Sequence, residues 1–105
     1  MEKYAWKAKL KPNMKEEYIL RHNEIWPEMV EMLKSAGIEN YSIWIWGDEL
    51  FGYYECSKGI AFASKVQSES DVNKKWNEFM KDVMTVAVDP ITGAQPKMEQ
   101  AFDLK

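Results

Sequence analysis

The sequence predicts an α+β fold in the order strand, helix, strand, strand, helix, strand, and three observations predict it. Residues 4 to 10 alternate, with Tyr4, Trp6, Ala8 and Leu10 on one side and Lys3, Lys7 and Lys9 on the other, the period-two pattern of a strand with one wet face. Two longer stretches, Met14 to about Ser35 and residue 58 to Val83, instead repeat their apolar residues at helical spacing. Between them lie two runs rich in aromatic and β-branched residues, Tyr41–Trp46 and Leu50–Cys56. That order is the split βαββαβ arrangement of the ferredoxin-like sandwich, an antiparallel sheet with its helices on one face.

Each element has a local cause. Pro12-Asn13 ends the first strand, and Asn13 is placed to cap the helix that follows. Trp26, Met29, Val30 and Leu33 form the apolar stripe of that helix. Pro27 interrupts it, because proline donates no backbone N–H and crowds the preceding turn, so a kink or a restart with Pro27 in the new first turn is expected. Gly37 then closes the helix in the left-handed conformation. Gly47-Asp48-Glu49 joins the two central strands as a hairpin.

On the first central strand Tyr41, Ile43 and Ile45 share one face and Ser42, Trp44 and Trp46 the other, so both faces call for cover. A short helix is expected over residues 58 to 67. After Ser68-Glu69-Ser70-Asp71 comes a second segment with Val72, Trp76, Phe79, Met80 and Val83 on one stripe. Thr85 to Pro96 reads as a loop, and Met98, Gln100, Phe102 and Leu104 alternate as a final strand. A sheet face carrying Trp and Ile would leave a large apolar patch on one copy, which a face-to-face or strand-exchanged homodimer would cover.

The totals exclude several functions. At 105 residues the chain is expected to form one domain, 1–105, able to bury a core without staples. A net charge of -3 and a pI near 5.2 exclude nucleic acid and anionic membrane as partners, since either needs a concentrated cationic surface. One cysteine, Cys56, closes no internal disulfide, which fits a reducing compartment. The N-terminus lacks the apolar core of a secretion signal and no apolar run reaches membrane-spanning length, so a cytoplasmic location is expected. One His and one Cys cannot build the usual zinc sets, and five scattered Gly make no nucleotide loop. Neither cofactor nor metal is expected. Five Trp, five Tyr and four Phe supply the faces on which sugars and flat ligands stack.

The sole histidine, His22, lies in the run Arg21-His22-Asn23-Glu24-Ile25-Trp26-Pro27-Glu28. Its ordinary pKa is the one closest to neutrality among these side chains, which makes it the natural proton-transfer group. Tyr18, four residues earlier, falls on the same helix face one turn away. Together they offer a hydroxylated substrate a proton donor and a hydrogen-bonding phenol. Trp26 with Pro27 reads as structural, fixing the bend that aims His22. Asp82 is a candidate partner base, although a solvated helix carboxylate is the commoner fate.

Tyr18, the His22 run, Tyr41 within Asn40-Tyr41-Ser42-Ile43, Trp76, and Asp82-Val83-Met84 together resemble the L-rhamnose mutarotase family. The likeness covers essentially the whole chain, and its His-Asn-x-Ile-Trp-Pro-Glu segment is specific. It implies a dimeric α/β barrel and an isomerase that interconverts the α and β anomers of a 6-deoxy hexopyranose. It also implies His22 as proton donor and Tyr18, Tyr41 and Trp76 as sugar contacts. The family places a Trp-Trp pair against the sugar. Here the pair is Trp76-Asn77, an amide replacing the second ring, which exchanges stacking area for a directional hydrogen bond.

Anomer exchange opens the pyranose ring and closes it on the other carbonyl face, so the ring oxygen gains a proton as the anomeric hydroxyl loses one. His22 is expected to handle the ring-oxygen proton, with a phenol, a carboxylate or water at the anomeric hydroxyl. The alternatives are a mutarotase of L-fucose or a related sugar, and a cofactor-free or haem-degrading monooxygenase of the dimeric α/β barrel type. A third is a sensor that binds a sugar without turning it over.

Overall fold

A computed structural model describes residues 1–86 and 98–104. The first strand, β1, spans Glu2–Leu10, followed by helices α1 (Lys15–Asn23) and α2 (Pro27–Ser35). Strands β2 (Ile38–Trp46) and β3 (Glu49–Cys56), helices α3 (Ile60–Glu69) and α4 (Asp71–Phe79), and strand β4 (Met84–Val86) complete the described order. The sheet runs β2-β3-β1-β4 with every pairing antiparallel, the ferredoxin-like order, and both helical stretches are divided, at Pro27 and at Ser70, where the sequence places a restart and a polar break.

Both splits have visible causes. α1 ends at Asn23 and α2 restarts with Pro27 in its first turn, Trp26 holding the extended backbone (ψ 136°) that a following proline demands. Ser70 separates α3 from α4 and caps the latter, its hydroxyl accepting from the Asn73 backbone N–H at 3.1 Å. Asn13 is not the cap of α1. It takes a positive φ of 61° in the preceding turn, and Met14 stands at the cap position without a side-chain bond. Gly37 has the expected left-handed φ of 76° just past α2.

Alternation sorts the sheet. Trp6, Ala8, Leu10, Leu50, Tyr54 and Cys56 are buried beneath the helices with Met29, Met32, Ala63, Trp76, Met80 and Val83. The other face is open: Trp44 and Trp46 are 68% and 79% exposed, so the face expected to be covered is bare in a single copy.

β2 carries one irregularity that matters for the site. Glu39 pairs with Glu55 and Ser42 with Tyr53, so Asn40 and Tyr41 together oppose Tyr54. This is a bulge, and Asn40 accommodates it with a φ of 51°. A bulge adds one residue to the alternation and re-aims its neighbour, here Tyr41, onto the helix side.

The last strand differs from the sequence expectation. Strand β4 is Met84–Val86, where a loop was expected to begin, while residues 98–104 form no strand. The rest of the expected loop, residues 87–96, lies outside the described residues. Met98 donates its backbone N–H to the Ala5 carbonyl at 2.8 Å and Lys3 pairs with Asp103 at 2.6 Å, but Phe102 and Leu104 remain 79% and 84% exposed. Alternation gives a segment two faces. It becomes a strand only when an edge supplies a ladder of partners, and among the described residues one backbone bond to β1, from Met98 to Ala5, takes the place of that ladder.

Candidate active site

Helix α1 sets the geometry of the histidine. Tyr18 and His22 stand one turn apart with ring centroids separated by 4.3 Å. The Nδ1 of His22 lies 3.0 Å from the carbonyl oxygen of Tyr18. A carbonyl only accepts, so Nδ1 carries the proton and, in the neutral ring, Nε2 keeps its lone pair. Burial holds the His22 pKa below its ordinary 6.5, the Tyr18 carbonyl opposing this in part. The neutral form therefore prevails at neutral pH, with Nε2 as a base.

Aromatic packing fixes the ring from behind. Trp76 meets His22 edge to face, with centroids 5.4 Å apart at 90°, and Trp26 meets Trp76 in the same way at 5.1 Å and 89°. Trp26 also packs on Phe79 at 5.4 Å. The expected structural role of Trp26 thus has a concrete form: the residue at the break between α1 and α2 braces the α4 indole that touches His22.

Arg21, next to the histidine, ties α1 to the end of α4. Its guanidinium lies over the Phe79 ring at 4.3 Å and donates to the Phe79 carbonyl at 2.7 Å. It also donates to both Asp82 carboxylate oxygens, at 2.8 and 3.1 Å, and to Glu17 at 2.9 Å. Arg21 keeps the Asp82 carboxyl below the usual carboxylate range. Asp82, considered above as a partner base, is turned to Arg21 and does not line the cavity.

The sheet supplies a floor of phenols. Tyr41 and Tyr54 rings are 5.0 Å apart, and Tyr54 stacks on Tyr4 at 5.1 Å. The Tyr41 oxygen accepts from Trp6 Nε1 at 3.1 Å. Burial raises the Tyr18 and Tyr41 pKa values well above the ordinary phenol and lifts Tyr54 to about 12, so all three stay protonated at neutral pH. Among the described residues, no group of three or more His, Cys, Asp or Glu is arranged to hold a metal ion.

Tyr18, His22, Tyr41, Trp76 and Asn77 all line one open cavity of about 1160 Å³, so the five residues singled out in the sequence converge. Tyr18 and Trp76 flank the histidine and Tyr41 belongs to the sheet floor, while Asn77 stands exposed at the rim. Sequence reasoning did not single out Tyr4, Trp6 or Tyr54 for the site. Their signal was available: strand alternation puts Tyr4 and Trp6 on one face of β1, and a polar-tipped aromatic in mid-sheet needs a partner for its tip.

Fold and cleft place the chain in a definite class, small ferredoxin-like α+β proteins that present one histidine and several aromatic side chains to a cavity. Comparison narrows the class to one family. A family model described as L-rhamnose mutarotase matches residues 3–104. Similar proteins include the L-rhamnose mutarotase of Mesorhizobium japonicum, 44% identical over 98% of this chain and 97% of its own length. That of Sinorhizobium fredii is 40% identical over 85% of this chain and 86% of its own. The crystal structure of the L-rhamnose mutarotase from Formosa agariphila superposes with a TM-score of 0.80 at 31% identity, covering 100% of both chains. The chain belongs to the L-rhamnose mutarotase family, isomerases acting on carbohydrates.

Proposed function

We propose that this protein interconverts the α and β anomers of L-rhamnose and that His22 performs the proton transfers. The observation that carries this reading is the pinned Nδ1 of His22, which leaves one basic nitrogen, Nε2, for a cavity bordered by Tyr18, Tyr41 and Trp76.

The chemistry follows from the sugar. The anomeric oxygen and the ring oxygen are bonded to the same carbon, so one imidazole nitrogen reaches both in turn. Neutral Nε2 accepts the proton of the anomeric hydroxyl as the bond from C1 to the ring oxygen breaks. The imidazolium so formed delivers that proton to the ring oxygen, giving the open-chain aldehyde and a neutral histidine. After rotation about the C1–C2 bond, closure on the other carbonyl face runs the same transfers in reverse. His22 thus gives and takes the ring-oxygen proton, and no further base is required. The phenols of Tyr18 and Tyr41 donate hydrogen bonds to oxygens that gain negative charge, and Trp76 offers the sugar an apolar face.

The working form in this reading is a homodimer in the cytoplasm. Trp44 and Trp46 on the bare sheet face, with Phe102 and Leu104 of the C-terminal segment, support the dimer, because exposed apolar surface of this kind is unusual on a monomer.

Saturation-transfer NMR of L-rhamnose, L-fucose, L-mannose and D-glucose tests the assignment. Faster exchange for L-rhamnose than for the other three is expected, and its loss in His22→Ala. Exchange no faster than in buffer for every sugar would end the reading.

A further inference from the structure

We propose that Trp6 is a positioning residue that turns the Tyr41 phenol into a hydrogen-bond donor aimed at the sugar, and that Gly52 makes this possible. The ligand named here rests on the mutarotase reading; the device itself rests on the sheet.

Trp6 sits on β1 and Tyr41 on β2, with β3 between them. Two strand spacings separate such residues by about 10 Å, too far for ordinary side chains on a flat sheet to meet. The indole closes the gap by lying across β3 at Gly52, its cross-strand partner. A Cβ built on Gly52 would fall 2.0 Å from Trp6 Cε2 and 2.2 Å from Nε1, so any other residue would displace the ring. Lying there, Trp6 is only 5% exposed and its Nε1–H reaches the Tyr41 oxygen at 3.1 Å. The bulge at Asn40 and Tyr41 completes the approach from the β2 side.

The consequence concerns one proton. Indole N–H is a donor only, whereas a phenol can both donate and accept. With Trp6 fixed as donor, Tyr41 is committed to accepting on that side, and its own proton points elsewhere. Tyr41 and Trp6 both line the cavity that His22 faces. A sugar oxygen arriving there meets a phenol already oriented to donate. Charge grows on the ring oxygen as the ring opens, so the bond strengthens toward the transition state and its loss falls on kcat more than on KM.

The test compares the wild-type protein with Trp6→Phe, Tyr41→Phe and the double variant, each checked by thermal melting. NMR anomer exchange gives kcat and KM for L-rhamnose, and the Trp6 indole N–H resonance is followed in ¹⁵N-labelled protein. Trp6→Phe is expected to lower kcat roughly fivefold to tenfold, the size of one neutral hydrogen bond. The double variant should be no slower than Tyr41→Phe alone, and the indole resonance should move in Tyr41→Phe. Losses that multiply in the double variant, or an indole resonance unchanged by Tyr41→Phe, would overturn the proposal. The resonance decides the matter even if Trp6→Phe fails to fold. A wild-type protein that accelerates no sugar's exchange, yet shows the resonance shift, would end the mutarotase reading and leave the Trp6–Tyr41 device standing.

Discussion

The Nδ1–H of His22 is donated to the carbonyl of Tyr18 one turn back along the same helix, at 3.0 Å, so the backbone of α1 decides which imidazole nitrogen is basic. Burial also lowers the pKa of the ring. The acid limb of kcat/KM should therefore bend below pH 6.5, and the His22 ring protons should titrate with the same midpoint in NMR. A midpoint above 6.5 would contradict the assignment. Removing the ring with His22→Ala is expected to cost about 10²–10⁴-fold in kcat.

The same shift has a stability consequence with a definite sign. The folded chain holds the His22 proton less tightly than the unfolded chain, so the unfolded state binds more protons just below pH 6.5. Stability from this group is complete above that pH and falls as pH drops through the lowered value. Urea titrations of wild-type protein and His22→Gln between pH 7 and pH 5 should converge toward the acid end, because the variant lacks that loss.

Asn77 stands at the cavity rim beside Trp76, where the resemblance described above implies a second indole. Asn77→Trp is expected to lower KM for L-rhamnose about threefold to tenfold through added stacking area. The gain should be smaller for L-mannose, whose C6 hydroxyl replaces the apolar methyl of the 6-deoxy sugar. Equal gains for both sugars would show that the rim does not read C6.

Arg21 joins α1 to the end of α4 through Asp82 and Phe79. Asp82→Asn removes a charge that faces solvent and does not line the cavity. Its effect on kcat/KM should stay within about fivefold, as exposed ion pairs contribute little. A loss as large as that of His22→Ala would restore Asp82 as a partner base.

The bare sheet face makes a separate prediction. Trp44→Glu with Trp46→Glu should convert a dimer to monomers in sedimentation equilibrium, because two like charges would be buried at the centre of the proposed interface. A wild-type protein that sediments as a monomer would remove the dimer from the reading.

Sequence alone determined the element order and the sheet's inward face, because strand alternation and helical stripes follow from local geometry whatever the surroundings. It also determined the α1–α2 break at Pro27, which cannot join the preceding helix, and the Tyr18–His22 pair, since residues four apart on a helix must share a face. The Trp6–Tyr41 bond was out of its reach: it depends on strand order, on a bulge two residues long and on a missing Cβ at Gly52, three facts from three strands. Nor could sequence tell which alternating segment would be the fourth strand. Met84–Val86 and residues 98–104 both offer residues to an edge, but a strand exists only where a partner's backbone completes the ladder, and β1 gives that to Met84–Val86. Asp82 was undecided for the same reason, since a carboxylate's role depends on the cation that the fold brings to it, and the fold brings Arg21.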